Sequence, residues 1–179
     1  MFPPTPGQPN TSGGAAIIDA QLTASNTHGL YISEIMTSTN ETDLSSASYD
    51  WIEIYNSSPG MIDLSGYALS DDSNRPRKWQ FPSGATIGAG EYKIVFLTGE
   101  NTTVNGTYCA DFRLSKDGGY QVLLSTPQGE LIDRIPVGSQ FANISYGRSY
   151  SVSGFRYYPD PPPKAANSSA GYAGRAEEA

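Results

Sequence analysis

Two acidic side chains of this 179-residue chain could form the paired carboxylates that acid–base hydrolysis requires. Glu34 and Glu53 each lie in a short run of mixed apolar and polar residues, and on adjacent strands they could face the same way. Glycoside hydrolases place two carboxyl groups on either side of the scissile bond. No separate acid–base machinery accompanies this pair, and the single histidine, His28, weakens every scheme that combines Ser or Cys with an imidazole. We therefore predict no catalytic residue and no enzymatic activity.

A second group of residues could bind a metal ion. The run Asp71-Asp72-Ser73-Asn74 gathers oxygen donors, and a hard cation such as calcium needs about six to eight of them. The spacing lacks the alternating ligands and terminal glutamate of a calcium hand, and turn chemistry explains the same residues equally well. Asp71 and Asp72 are therefore weak candidates.

The single cysteine, Cys109, excludes an intrachain disulfide and favours a buried small hydrophobe over a reactive thiol. We expect no cofactor.

The most frequent functional motif in the sequence is an acceptor for covalent modification of asparagine. Seven of its nine asparagines open an Asn-x-Ser/Thr triplet without proline in the middle. These acceptors are Asn10, Asn40, Asn56, Asn101, Asn105, Asn143 and Asn167. They predict a surface that passes through a glycosylating secretory route, although a composition rich in Ser, Thr and Asn would also produce such triplets without any sugar. We expect glycans on at least three of the five acceptors between Asn40 and Asn143, in or beside predicted loops.

Composition narrows the partners and the fold class. A net charge of −7 with 11 Lys and Arg residues repels nucleic acid phosphates and anionic lipid, so neither is expected as a partner. The chain contains 19 Gly, 13 Pro and 12 Tyr against 6 Phe, which favours amphipathic strands and frequent turns. No apolar run is long enough to span a membrane. The first residues do not form a signal peptide, so we expect either a removed leader or a segment of a longer chain.

Short strand-like runs separated by Gly, Pro, Ser and Asp follow one another through the middle of the chain. The runs cover residues 30–36, 51–55, 67–70, 78–81, 92–97, 120–124, 131–134 and 144–146. In the second run, Ile52 and Ile54 face one way, and Trp51 with Glu53 faces the other. Many short strands without a helical period predict an all-β protein with an immunoglobulin-like β-sandwich fold. We expect both tryptophans to lie in its core.

Particular residues in these runs are similar to a known family. The segments are ISEIM at 32–36, DWIEIYN at 50–56, IDLSGYALSDD at 62–72, KWQFP at 78–82, IGAGEY at 87–92 and FRLSKDGG at 112–119. In this order they resemble the lamin-tail domain from about Tyr31 to Arg148. The resemblance implies an immunoglobulin-like sandwich whose motif residues are chiefly structural, so that Glu34 and Glu53 occupy ordinary sheet positions. Nuclear lamins carry one copy as a partner-binding module, whereas prokaryotic surface proteins and secreted enzymes carry copies as accessory domains.

The two ends of the chain differ from its middle. Residues 1–14 and 157–179 have linker composition, and the two stretches align with an acceptor triplet in register, which is consistent with an upstream copy or with shared linker composition. Residues 30–156 form the predicted sandwich, preceded by an extra strand and connector at 15–29. The apolar residues of that strand are Ala15, Ala16, Ile17, Ile18, Ala20 and Leu22. They could extend the domain's own sheet, form a short helix, or pair with a neighbouring module.

These observations predict a non-catalytic, N-glycosylated module at the cell surface or outside the cell. Its partners would be other copies of itself or adjacent surface proteins, with possible head-to-tail strand exchange. Neither a lamin rod nor a basic nuclear-localisation run is present, so a nuclear role is not expected. The alternative is a polysaccharide- or protein-binding module of a secreted multidomain enzyme. Its aromatic candidates are Trp51, Trp79, Tyr92, Tyr120 and the cluster at 155–158, which could stack on sugar rings.

Overall fold

The computed structural model describes residues 28–37, 49–104, 106–139, 144–148 and 155–158, which form strands and turns but no helix. The strands are β1 (Leu30–Met36), β2 (Asp50–Asn56), β3 (Ile62–Asp63), β4 (Ala68–Ser70), β5 (Trp79–Gln80), β6 (Thr86–Ile87), β7 (Tyr92–Leu97), β8 (Thr102–Val104), β9 (Thr107–Ala110), β10 (Tyr120–Ser125), β11 (Leu131–Val137), β12 (Ser145–Arg148) and β13 (Phe155–Tyr158). The extra N-terminal strand at 15–22 and most of the two predicted linkers lie outside these ranges.

The described strands form two main sheets and a short ribbon. The large sheet has the order β13-β12-β1-β2-β7-β9-β8, and the smaller one has the order β11-β10-β4-β5. The strands β3 and β6 pair separately. Neighbouring strands are antiparallel except β7 and β9, which run parallel. The prediction of an all-β, immunoglobulin-like sandwich is confirmed.

The main core lies between the two sheets because alternate residues of each strand point inward. Ile52 and Ile54 of β2 pack here, as their predicted common face requires. They meet apolar residues of the smaller sheet, including Leu69 and Leu124. Trp79 also belongs to this core, and its ring contacts Phe81 edge-on at a centroid distance of 4.7 Å.

Several strands were not predicted, for identifiable reasons. The strands β3 and β6 contain two residues each, too few to show a period. All three residues of β8 are exposed, so no apolar alternation marks this strand. The last strand, β13, ends at Tyr158, beyond the predicted end of the sandwich at residue 156.

Trp51 occupies a second cluster rather than the main core, which corrects the prediction for this residue. In the strand register Trp51 lies opposite Met36 on one side and Phe96 on the other. These residues and Ile94 form a separate apolar cluster. The reason is the alternation of β2: since Ile52 and Ile54 face the smaller sheet, Trp51 must face away from it.

We expect Trp51→Ala to lower the free energy of unfolding by about 3–5 kcal/mol, because the indole is only 7% exposed and its removal leaves a cavity. Met61, which is 69% exposed, provides the control: Met61→Ala should change stability little. Chemical denaturation measures both. If Trp51→Ala left unfolding unchanged and reduced binding to a glycan, the ring would be a surface platform instead.

Candidate functional site

The two predicted carboxylates come together through an irregularity in the sheet. The register between β1 and β2 shifts between Ile32 and Glu34, with Ser33 as the extra residue. This shift places Glu34 directly opposite Glu53. Both side chains are fully buried. The expectation that the two residues lie on adjacent strands is therefore correct, but a substrate has no access to either carboxyl group.

Two serines supply hydrogen bonds to this pair. The hydroxyl of Ser33 donates to Oε1 of Glu53 at 2.8 Å, and that of Ser145 donates to Oε1 of Glu34. The other oxygen of Glu34, Oε2, has no hydrogen-bond partner. Gly147 lies opposite Glu34 on β12, where an added Cβ would come within 2.6 Å of the Ser33 carbonyl oxygen. Only glycine permits β12 to approach this closely.

The surroundings of Glu34 favour its protonated form. Burial raises the pKa of Glu34 from 4.5 to about 8, the Ser145 hydrogen bond opposes the rise, and the charge of Glu53 adds to it. At neutral pH Glu34 therefore retains its proton. Chemically, a neutral acid beside a second carboxyl group resembles the acid–base pair of a hydrolase. Because no substrate can reach the two carboxyl groups, their arrangement favours a role in packing over a role in catalysis.

We expect the free energy of unfolding to fall as pH rises from about 4.5 to 8. The unfolded chain ionises Glu34 near 4.5, whereas the folded chain keeps the proton to about 8, so unfolding releases a proton in this window. The slope from this group is at most about 1.4 kcal/mol per pH unit. Glu34→Gln should remove that part of the slope, and the exposed control Glu100→Gln should retain it. Denaturant unfolding between pH 5 and 8 measures the slopes, and equal slopes in the wild type and Glu34→Gln would contradict the assignment.

A buried ion pair joins the two sheets next to the carboxylates. Asp133 of β11 accepts a hydrogen bond from the backbone N–H of Ile32 at 2.8 Å and another from the Arg148 guanidinium. Arg148 Nε also donates to the Ile32 carbonyl oxygen at 3.1 Å. Burial raises the pKa of Asp133, and the Arg148 charge and the Ile32 N–H oppose that rise. An Asp and an Arg 15 residues apart carry no motif, so the sequence gives no sign of this pair.

Asp133→Ala should destabilise the fold by about 3–5 kcal/mol, because it removes the carboxylate shared by the buried N–H of Ile32 and the partly buried guanidinium of Arg148. The double variant Asp133→Leu, Arg148→Met should lose less than the sum of the two single changes. Arg75, in an exposed pair with Asp72, is the control, and Arg75→Ala should cost less than about 1 kcal/mol. Strictly additive losses at Asp133 and Arg148 would show that the two side chains act independently.

The weak metal candidates interact with cations of the protein itself. Asp71 Oδ1 lies 2.7 Å from Lys78 Nζ. Asp72 accepts a hydrogen bond from the Asn74 N–H at 2.9 Å and another from Arg75 Nε at 3.1 Å, and these bonds lower its pKa. A surface depression of about 430 Å³ lies beside them. No three His, Cys, Asp or Glu side chains cluster within the described ranges. The geometry favours the turn interpretation.

The aromatic candidates divide into buried and partly exposed residues. Trp51 and Trp79 are buried and present no platform to a sugar. Tyr92 is partly exposed and lies in a row with Tyr55 and Tyr31 across β7, β2 and β1. The rings of Tyr55 and Tyr92 stack on each other at 4.5 Å, so each covers a face of the other.

Two further aromatic candidates support loops. The Tyr120 hydroxyl donates to the Ser115 carbonyl oxygen at 2.8 Å, and burial raises the Tyr120 pKa. The Tyr157 hydroxyl donates to the Ser139 carbonyl oxygen at 2.9 Å. These hydrogen bonds give both side chains a structural role.

The acceptor asparagines differ sharply in accessibility. Asn56 is fully buried, and its Nδ2 donates to the carbonyl oxygens of Gly60, Ile87 and Gly88. A glycan on this nitrogen would break all three bonds, so we withdraw Asn56 as an acceptor. Asn101 is exposed. The remaining acceptors are Asn10, Asn40, Asn105, Asn143 and Asn167, which lie outside the described residues.

The single histidine and cysteine take no part in a site. His28 Nε2 lies 3.4 Å from a Glu130 carboxylate oxygen at the surface. Cys109, predicted to be buried, is only half-buried, because its strand β9 lies next to the edge of the large sheet.

The sheet order and core define an immunoglobulin-like β-sandwich in which the acidic motif residues hold strands together. The Lamin Tail Domain family model matches residues 23–139, and the chain belongs to this family. The match begins before the expected Tyr31 and ends before the expected Arg148, which leaves β12 and β13 outside it. A search of curated proteins found no match. The part of the chain that the structure describes contains no helix suited to crossing a membrane.

Proposed function

We propose that this chain is a non-catalytic, N-glycosylated structural module of a cell-surface or fibrous assembly outside the cell. The observation that carries the proposal is the burial of Glu34 and Glu53, the residues best suited to chemistry. The two carboxyl groups accept hydrogen bonds from Ser33 and Ser145 inside the sheet, and they offer a substrate no approach. The family also fits a module that supports or connects other parts of a protein.

The extracellular location is supported by the acceptor triplets. Asn101 is exposed at the start of β8, where a bulky sugar meets no core residue. Because Asn56 is buried, six of the seven acceptor triplets still favour this location.

The assembly role is supported by the open-sheet architecture. An outermost strand presents unpaired backbone groups that can pair with a strand of another chain. Residues 15–22 form the most apolar stretch outside the family match, and Gly13-Gly14 immediately precedes them in the sequence. A strand from one copy added to a sheet of the next would join copies head to tail without closing a ring.

The alternative remains a binding module of a secreted enzyme, and the row of Tyr31, Tyr55 and Tyr92 is the feature that favours it. Stacking of Tyr55 on Tyr92 turns their faces toward each other, so the row presents ring edges and hydroxyls. Retention of the wild type on insoluble glycans, and its loss in Tyr92→Ala, would favour this alternative.

Deleting residues 1–22 should leave a folded, monomeric domain, because the family match begins at residue 23. The full chain should associate with rising concentration in sedimentation experiments, and electron microscopy should show open fibres. Thermal unfolding of the deletion variant checks its fold. An unfolded deletion product would show that residues 15–22 belong to their own sandwich. A full chain that stays monomeric at high concentration would remove the case for strand exchange.

A further inference from the structure

The strand β8 leaves one end of the large sheet open. Among the described strands it is the outermost one there, and it pairs with β9 alone. All three of its residues, Thr102, Thr103 and Val104, are exposed. β-branched residues favour strand pairing, and an open edge is a template for another chain. Natural edges are usually protected by charge, proline, a bulge or short length, and β8 has only its short length.

An acceptor triplet begins immediately before this edge. Asn101-Thr102-Thr103 includes two residues of β8, and a second triplet, Asn105-Gly106-Thr107, follows it in the sequence. Val104 of β8 pairs with Thr107 of β9, and Gly106 has a φ of 79°. Glycine permits this left-handed conformation, and the antiparallel pairing holds β8 against β9.

The Asn101 side chain is already oriented for attachment of a glycan. Its Oδ1 accepts a hydrogen bond from Nε1 of the buried Trp79 at 3.0 Å. The two terminal atoms of an amide lie on opposite sides of its carbon, so this bond turns Nδ2 away from Trp79. A glycan attaches to Nδ2 and leaves Oδ1 as an acceptor, so the Trp79 bond and the glycan are compatible.

We propose that Asn101 carries an N-linked glycan that covers the β8 edge and prevents strand pairing there. The proposal rests on the proposed function, since it needs a glycosylating route. The co-reactant is a lipid-phosphate-linked oligosaccharide: Nδ2 forms a bond to the first sugar carbon as the bond from that carbon to the phosphate oxygen breaks. The amide loses one proton, and the lipid phosphate leaves. Because β8 is only about 10 Å long, a bulky sugar at Asn101 stands close to each of its backbone groups.

Expression of the full chain in a glycosylating secretory host tests the proposal. Glycopeptide mass spectrometry reports occupancy at Asn101, and analytical ultracentrifugation reports association. Thr103→Ala with Thr107→Ala removes both triplets beside β8 and retains Asn101 with its Trp79 bond. Thr102→Ala is the matched control, because the middle position of a triplet is not required.

Wild type and Thr102→Ala should carry a glycan at Asn101, and the double variant should associate at concentrations at least about tenfold lower than Thr102→Ala. Adding Val104→Lys to the double variant should reverse this association, because an edge lysine opposes strand pairing. All variants should unfold at similar temperatures.

An unmodified Asn101 in a chain that carries glycans at Asn40 or Asn143 would overturn this inference and leave the proposed function intact. Equal association of the double variant and Thr102→Ala would overturn it as well, and so would association that Val104→Lys does not change. A chain without a glycan at any acceptor would overturn both this inference and the glycosylated function.

Discussion

The buried peptide group of Ile32 is the point at which polar side chains link the two sheets. The ladder between β1 and β12 ends near Glu34, so the N–H and C=O of Ile32 lack a strand partner on that side. Asp133 and Arg148 take the place of that strand: the carboxylate accepts from the N–H, and the guanidinium donates to the C=O. Since Asp133 belongs to the smaller sheet and Arg148 to the large one, these bonds satisfy a buried peptide group and tie the two layers together.

The shift in register next to this point explains why the most chemically suggestive residues are not accessible. With Ser33 as an extra residue, Glu34 comes opposite Glu53, and Gly147 lets β12 close over the pair. Two acidic groups that cannot both be solvated share a buried space, and the outcome is a retained proton on Glu34. Such a pair makes stability depend on pH, and the contribution of Glu34 is greatest where this residue is protonated in both the folded and the unfolded state.

We therefore propose that this domain functions through its sheet edges and surface loops, not through a buried site. The tryptophans are buried, and Asp71 and Asp72 pair with Lys78 and Arg75. Sheet edges and the exposed Asn101 remain, and these are the features that the proposed assembly role would use. In the proposed assembly, strand exchange joins copies at one sheet edge, and the glycan at Asn101 covers another. The two are compatible, because an assembly that grows in one direction needs its other edges to be closed.

The sequence by itself determined the all-β class, the family and most strands of the core, because period-two alternation and turn residues are local signals that each strand carries within a few residues. It also placed Ile52 and Ile54 on the face opposite Trp51. Only the tertiary structure decided that Trp51 lies in a separate cluster, that Asn56 is buried, and that Asp133 meets Arg148 and Ile32. Burial and pairing of this kind depend on which strands become neighbours and in what register. Register is a property of two strands at once, and a single shifted residue such as Ser33 changes which side chains meet.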